Sequence, residues 1–247
     1  MQKKNPLLSI ITVCYNAEHT IENCIKSVLL QKKNHNIEYI IVDGLSTDDT
    51  YNIVKLYQNE IDIIIHECDN GIFDAMNKGF NISSGEYVSF LNADDIYMST
   101  TINIVIDYIK KSNNLVDVFY GDWIGINSTG KNIYRNAHHK VGHKYALCHQ
   151  SMFAKRCIFP KPTPFNLSYK LCADFDLVLY WLKSNKTFFK IPLPLVVFSE
   201  VGASAKFLRM SAFEDITIIL RRKLNLATII LAIRIFVYYC LSEFKKQ

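Results

Sequence analysis

The sequence predicts an α/β domain built on a mostly parallel central sheet with helices on both faces. Three observations carry this. Four short apolar runs recur within the first hundred residues, and each is rich enough in Ile, Val and aromatic residues to be a buried strand. Stretches with helical apolar spacing separate or follow them, and such alternation is the mark of a parallel sheet. Acidic residues stand where two of the runs end, at Asp43 and Asp94. Sheets of this kind bind ligands at the carboxyl ends of their strands.

The elements come in this order. Leu7 to Cys14 is the first strand. Residues 18–31 have Ile21, Cys24, Ile25, Val28 and Leu29 at helical spacing. Ile37 to Val42 is the second strand and breaks at Asp43-Gly44. Ser46-Thr47-Asp48-Asp49 offers a cap and a negative first turn for a helix through about 59. Ile61 to Ile65 is a third strand, and Ile72 to Ile82 a helix entered through Gly71. Glu86 to Leu91 is a fourth strand running into Asn92-Ala93-Asp94-Asp95, and a helix is expected at about 99–111.

The pattern loosens after 115. Val116 to Ile126, Ser128-Thr129-Gly130 and Ile133-Tyr134 read as a strand or hairpin. Residues 136–172 are irregular and rich in His, Pro and Cys, and Ala173 to Leu182 is helical. Phe188 to Ile191 and Leu193 to Phe198 read as two short strands, and 199–206 as a loop. The rest is helical and increasingly apolar. The expected division is a domain over 1–205, with halves at about 6–100 and 101–205, and a basic apolar helical tail over 206–247.

Composition narrows the class. With 49% hydrophobic and 21% charged residues over 247 positions, the chain is an ordinary globular protein. Its net charge of +5 resides in the tail, where eight Lys/Arg meet three Asp/Glu; residues 1–205 hold twenty of each. A basic tail suits an anionic surface. The run 224–241 nearly reaches spanning length but contains Arg234, so an interfacial or protein-packed helix is expected, with Arg221-Arg222-Lys223 and Lys245-Lys246 at its ends. The tail is too apolar for a nucleic-acid binder. Seven Cys without CxxC spacing read as thiols of a reducing compartment, and no leader pattern opens the chain. The expected location is cytoplasmic, peripheral on the inner face of a membrane.

Four clusters could carry chemistry. Asn92, Asp94 and Asp95 close an apolar strand with hard oxygens that suit Mg2+ or Mn2+, or else cap the next helix. Asp43 suits a nucleotide contact or a plain Asp-Gly turn. Gly71 opens a helix whose positive end, with Lys78, would favour a diphosphate; simple loop-to-helix entry is the alternative. Asp174 and Asp176 begin a helix and offer a general base or merely an acidic first turn, with His149 shortly before them.

The set Ile10-Ile11-Thr12-Val13-Cys14-Tyr15-Asn16, Val42-Asp43-Gly44, Asp69 to Gly79 and Leu91-Asn92-Ala93-Asp94-Asp95 resembles family 2 glycosyltransferases, inverting enzymes of the GT-A fold. The likeness is to the branch that builds colanic acid, O-antigen and capsule repeats. It spans about 6–200 and is tightest over the first hundred residues. The resemblance implies a Rossmann-like nucleotide-binding half and an acceptor-binding half. It gives Tyr15 and Asp43 to the nucleotide base, and Gly71, Asp74, Lys78, Asn92 and Asp94 to the nucleotide-sugar. Asp94 with Asp95 would hold the metal, and Asp174 would be the catalytic base. Asn92 stands where the family often has the first acid, and Ala173 where it often has Glu. No processive-synthase Gln/Arg-x-x-Arg-Trp motif is present, so one addition per acceptor is expected.

The resemblance further implies a nucleotide-sugar donor, UDP by default, and a lipid-linked saccharide acceptor. The tail would hold the enzyme at the inner-membrane surface where that acceptor sits. Two other readings compete. A degenerate GT-A-fold scaffold or regulatory protein would keep the fold without turnover, and Asn92 is the residue that suggests it. A sugar-phosphate nucleotidylyltransferase would need a Gly-rich basic loop where the chain reads Cys14-Tyr15-Asn16-Ala17-Glu18.

Overall fold

Every residue of β1 (Leu8–Cys14) is buried, because this strand is covered on both faces and paired on both edges. It lies parallel to β2 (Ile37–Asp43) on one side and to β4 (Tyr87–Asn92) on the other, and β3 (Ile63–His66) extends β2. The structure, a computed structural model, describes residues 5–139, 147–200, 202 and 207–222. Helices α1 (Ile21–Lys32), α2 (Thr50–Leu56) and α3 (Ile72–Ile82) make the crossovers between these strands. The carboxyl ends of β1, β2 and β3 are in register at Cys14, Asp43 and His66, with Asn92 of β4 beside Val13. One edge of the sheet therefore collects the loops that hold most of the expected donor residues.

The second half comprises β5 (Ile96–Tyr97), α4 (Thr101–Lys111), β6 (Val118–Ile126), β7 (Asn132–Arg135), β8 (Met152–Lys155), α5 (Ala173–Lys183), β9 (Phe188–Ser199) and α6 (Leu208–Arg222). The nine-stranded sheet runs β3-β2-β1-β4-β8-β6-β9-β5, with β7 on β6. Pairing is parallel across the first four strands and between β6 and β9, and antiparallel elsewhere. The fold is thus a GT-A-like α/β arrangement around a mixed sheet.

Three expectations change. The irregular stretch 136–172 contains β8, which bridges β4 and β6 and so joins the two halves. The two strands read at 188–198 are one, because the ladder to β6 absorbs Pro192 and Pro194 by shifting register beside Gly121, Asp122 and Trp123. Helix α2 stops at Leu56, where the amide of Tyr57 turns back to Val54. Beneath α5, Phe80, Phe90, Phe159, Phe165 and Trp181 pack tilted and edge-to-face, with centroids 4.7–6.3 Å apart.

The expected boundary near 205 precedes a helix that is tied into the domain. On α6, Ser211, Ala212, Glu214, Asp215, Ile218 and Ile219 are buried. The run 224–241 and Lys245-Lys246 lie outside the described residues, as do 201 and 203–206 of the expected loop.

Candidate functional site

The loops after β1 and β2 are stitched together by backbone donors and short polar side chains. Asn16 N–H donates to Ser46 Oγ (2.9 Å), Ala17 N–H to Thr50 Oγ1 (2.7 Å) and Glu18 N–H to Asp48 Oδ2 (3.1 Å). In return, Thr47 and Asp49 amides donate to Asn16 Oδ1 and Glu18 Oε2. Asn16 and Leu45 both take positive φ, +49° and +60°, a left-handed conformation that is uncommon outside glycine and here flanks Tyr15 and Gly44. Tyr15 is 61% exposed, so its ring is free to take a stacking partner.

Asp43 has no exposed surface. Its Oδ1 accepts from the Ser46 hydroxyl and faces the Cys14 thiol (3.6 Å), while Oδ2 accepts from the Ser46 amide (3.1 Å) and from His66 Nδ1 (2.5 Å). Burial and the neighbouring carboxylate push the Cys14 thiol far above its ordinary range, so it is an inert packed group. A Cβ at Gly44 would come within 2.3 Å of Asp69 Oδ2, and Tyr15 lies just beyond. The Asp69 carboxylate therefore packs directly over the backbone of Gly44.

Asp69 accepts from the Gly71 amide (2.8 Å), and Gly71 enters α3 at φ +111°. Asp74, in the first turn of α3, accepts from the Asn70 amide (2.9 Å). Lys78 spans the same loop: it pairs with Glu67 (2.9 Å), donates to the Cys68 carbonyl and lies 4.0 Å from Asp74. Its hydrogen bond to Glu67 raises its pKa. Asp74 and Lys78 thus shape the loop at the helix entrance.

At the end of β4 the two adjacent acids diverge. Asp94 is exposed, yet the protein mass around its carboxylate raises its pKa, with His149 opposing. Asp95 is wholly buried: Oδ1 accepts from the Ser199 amide (3.0 Å), and Oδ2 has no partner among the described residues. Burial first, and the Asp94 charge second, raise the Asp95 pKa well above 3.8. Gln150, whose Oε1 accepts from the Cys148 thiol (2.9 Å), brings its amide beside Asp95 without closing a well-formed bond. Asn92 Oδ1 is also buried without a partner among the described residues.

Asp174 opens α5, and its Oδ2 meets His149 Nδ1 at 2.9 Å. His149 stands on a 3-10 turn at 149–151, directly before β8. Its Nε2 is buried and has no partner among the described residues. Behind the pair the wall is apolar, made by Phe90, Met152, Phe165, Leu177 and Trp181. The weak sequence candidate His149 and the expected base Asp174 are therefore one hydrogen-bonded unit. Asp176 is elsewhere employed: its carboxylate forms a two-pronged pair with Arg222 of α6 (2.7 and 2.6 Å). Arg222, expected at a membrane headgroup level, is thus fixed inside the domain.

Sequence reading missed four participants. Ser46 and His66 surround Asp43, Gln150 faces Asp95, and Glu214 of α6 accepts the amides of Lys170, Leu171 and Cys172 (2.8, 2.9 and 3.0 Å), just before Asp174. Only Ser46, three residues after an acid, carried a local signal. Among the described residues no group of three or more His, Cys, Asp or Glu is gathered as a metal cage.

Comparison with known proteins gives the family and the fold. Residues 9–169 match Glycosyl transferase family 2. The chain is 32% identical over 184 residues to the PGL/p-HBAD biosynthesis glycosyltransferase of Mycobacterium tuberculosis, covering 69% of this chain and 68% of that protein. It is 29% identical over 185 residues to the Escherichia coli UDP-Glc:alpha-D-GlcNAc-diphosphoundecaprenol beta-1,3-glucosyltransferase, covering 72% and 71%. A Pyrobaculum calidifontis mannosyltransferase, solved with GDP-Man and Mn2+, shares the fold at TM-score 0.70 and 15% identity over 96% of this chain and 70% of that one. S. aureus TarS does so at 0.68 and 19%, over 88% of this chain, which spans only 40% of TarS. The chain accordingly belongs to glycosyl transferase family 2 and is a glycosyltransferase of GT-A-like fold.

Proposed function

We propose that this glycosyltransferase moves one sugar, with inversion, from a UDP-sugar to a lipid-linked saccharide in bacterial surface-polysaccharide synthesis. The observation that carries the reading is the Asp174–His149 hydrogen bond, set on the turn that packs against β4, the strand that runs into Asp94. Asp174 removes the acceptor hydroxyl proton as that oxygen attacks the anomeric carbon. His149 donates Nδ1–H to Asp174 and holds the carboxylate in place. The exposed Asp94 fits a Mg2+ or Mn2+ ion bound by one carboxylate and completed by phosphate oxygens; buried Asp95, bonded to the Ser199 amide, fits the part of a support. Such an ion supplies positive charge to the leaving nucleoside diphosphate. The E. coli relative, named for a UDP-Glc donor and a diphosphoundecaprenol-linked acceptor, supports the choice of donor and acceptor.

Two substitutions test this together, with UDP binding followed by calorimetry and transfer by product mass. Asp174→Asn should leave UDP binding intact and lower turnover by roughly 10²–10⁴-fold. Asp94→Asn should remove the Mn2+ dependence of UDP binding. Near-normal turnover in the first variant, or unchanged metal dependence in the second, overturns the assigned role.

Membrane attachment through the tail belongs to the same proposal. No helix among the described residues is long and apolar enough to cross a membrane. A chain ended after Arg222 keeps the contacts of α6 and should lose binding to anionic vesicles; equal binding by the shortened chain removes the tail from the proposal.

A further inference from the structure

At the start of α5, Cys172 stands at the capping position and makes no side-chain capping bond, and the turn that follows carries Asp174 and Asp176. The anchors of this turn come from α6, 42 to 46 residues further along the chain. Glu214, only 8% exposed, accepts the amides of Lys170, Leu171 and Cys172 at 2.8, 2.9 and 3.0 Å. Arg222 grips Asp176 with two bonds of 2.7 and 2.6 Å. Asp174 lies midway between Cys172 and Asp176, so α6 holds the chain on both sides of it. The direct bonds of Asp174, from the Phe175 amide and with His149 at 2.9 Å each, tie it to α5 and to the turn at 149–151. Helix α6 lies beyond residues 9–169, the stretch that matches the family model.

We infer that Glu214 is a positioning residue for Asp174, acting through the backbone that leads into α5. This rests on the reading of Asp174 as the base. Three consecutive amides aimed at one carboxyl group fix the path of the chain before the helix, because none can turn away without losing its acceptor. Arg222 fixes the same turn from its far side, through a planar fork that a lysine cannot reproduce. A base works only within hydrogen-bond reach of the proton it takes, and a misplacement of about 1 Å can cost a hundredfold in rate. An acid that only stabilised the fold would change how much enzyme is folded. It would leave the turnover of each folded molecule alone.

The test is turnover per folded molecule, followed by product mass, beside UDP affinity by calorimetry. It uses the full chain, Glu214→Gln, Glu214→Asp and Arg222→Lys, with folding checked by near-UV dichroism. The Asp variant keeps both acceptor oxygens but draws them back by one methylene, which serves should the Gln variant fail to fold. Both Glu214 variants should lower kcat by about ten- to a hundredfold and leave UDP affinity unchanged. Arg222→Lys should show the same split with a smaller loss. In an Asp174→Asn background the Glu214 substitutions should cost nothing further, since the group they place is gone. A folded Glu214 variant with wild-type kcat overturns the inference. So does an equal proportional loss with and without Asp174, which would make Glu214 a structural acid only. A fall in UDP affinity alongside kcat overturns it too, because α6 would then be shaping the donor site. Near-normal turnover in Asp174→Asn alone instead overturns the base reading, and the inference with it.

Discussion

The two halves of this protein are held together by different physics. In the first half, β1 to β4 form a continuous parallel block with a mostly apolar interior, and the loops at its carboxyl edge are stitched to one another across about thirty residues. In the second half, carboxyl groups fix key positions over long stretches of chain. Asp95 reaches the Ser199 amide across 104 residues, Asp176 reaches Arg222 across 46, and Glu214 gathers three amides across about 43. Most of the interior of the parallel block is held by apolar packing. A half organised by a few carboxyl groups is more exposed to single losses, because each removed acid leaves several part-buried donors without their acceptor at once.

The largest effect should come from Glu214→Ala. It leaves three adjacent amides without their acceptor directly before Asp174, and should cost about 3 kcal/mol or more. For a chain of this size that is a fall in Tm of roughly 6–12 °C. A loss below about 1 kcal/mol by urea unfolding would erase the contrast between the halves.

Asp122 gives the next effect. It is buried, pairs with Lys190 (2.8 Å), and accepts from Tyr134 and the Ala137 amide (2.7 Å). Burial raises its pKa, but the bonds from Lys190 and Tyr134 win and hold it below 3.8. Its stabilisation is therefore present above the ordinary carboxylate range and is lost as pH falls through and below it. Asp122→Asn should cost on the order of 1–3 kcal/mol at neutral pH and flatten the acid limb of a Tm-against-pH curve. An unaltered acid limb would place the acid sensitivity elsewhere.

Lys78→Met in the first half should change stability by less than about 1 kcal/mol, since its ion pair with Glu67 is largely solvated. Chemical denaturation measures that, and UDP calorimetry on the same sample sharpens it. A selective loss of UDP affinity would give Lys78 to the diphosphate; no loss would leave it as the brace of the 67–78 loop.

The same contrast explains what could be read from residues alone. β1, β2, β4 and α3 were legible because a buried parallel strand and an amphipathic helix write their partners into local apolar spacing. β8 was not, because Met152–Lys155 is four residues whose strand character comes only from β4 and β6 on either side. β9 looked broken because Pro192 and Pro194 cannot donate, and only the register shift with β6 lets one strand hold both. Asp43, Asp94 and Asp174 could be named from their positions at strand and helix ends. Their partners could not. His66 looks like the last residue of a strand, and Glu214 like one of two adjacent acids in a helix, until the fold brings each against its carboxylate or amides.

The clamp between Asp176 and Arg222 also sets a direction. Arg222 is the last residue of α6, and its guanidinium is pinned two residues from Asp174 while stacking over Tyr180 at 5.4 Å. The carboxyl end of α6 is therefore aimed and held beside the helix whose first turn carries Asp174. Loosening that clamp would free the first turn of α5, and Asp174 with it, from the end of α6.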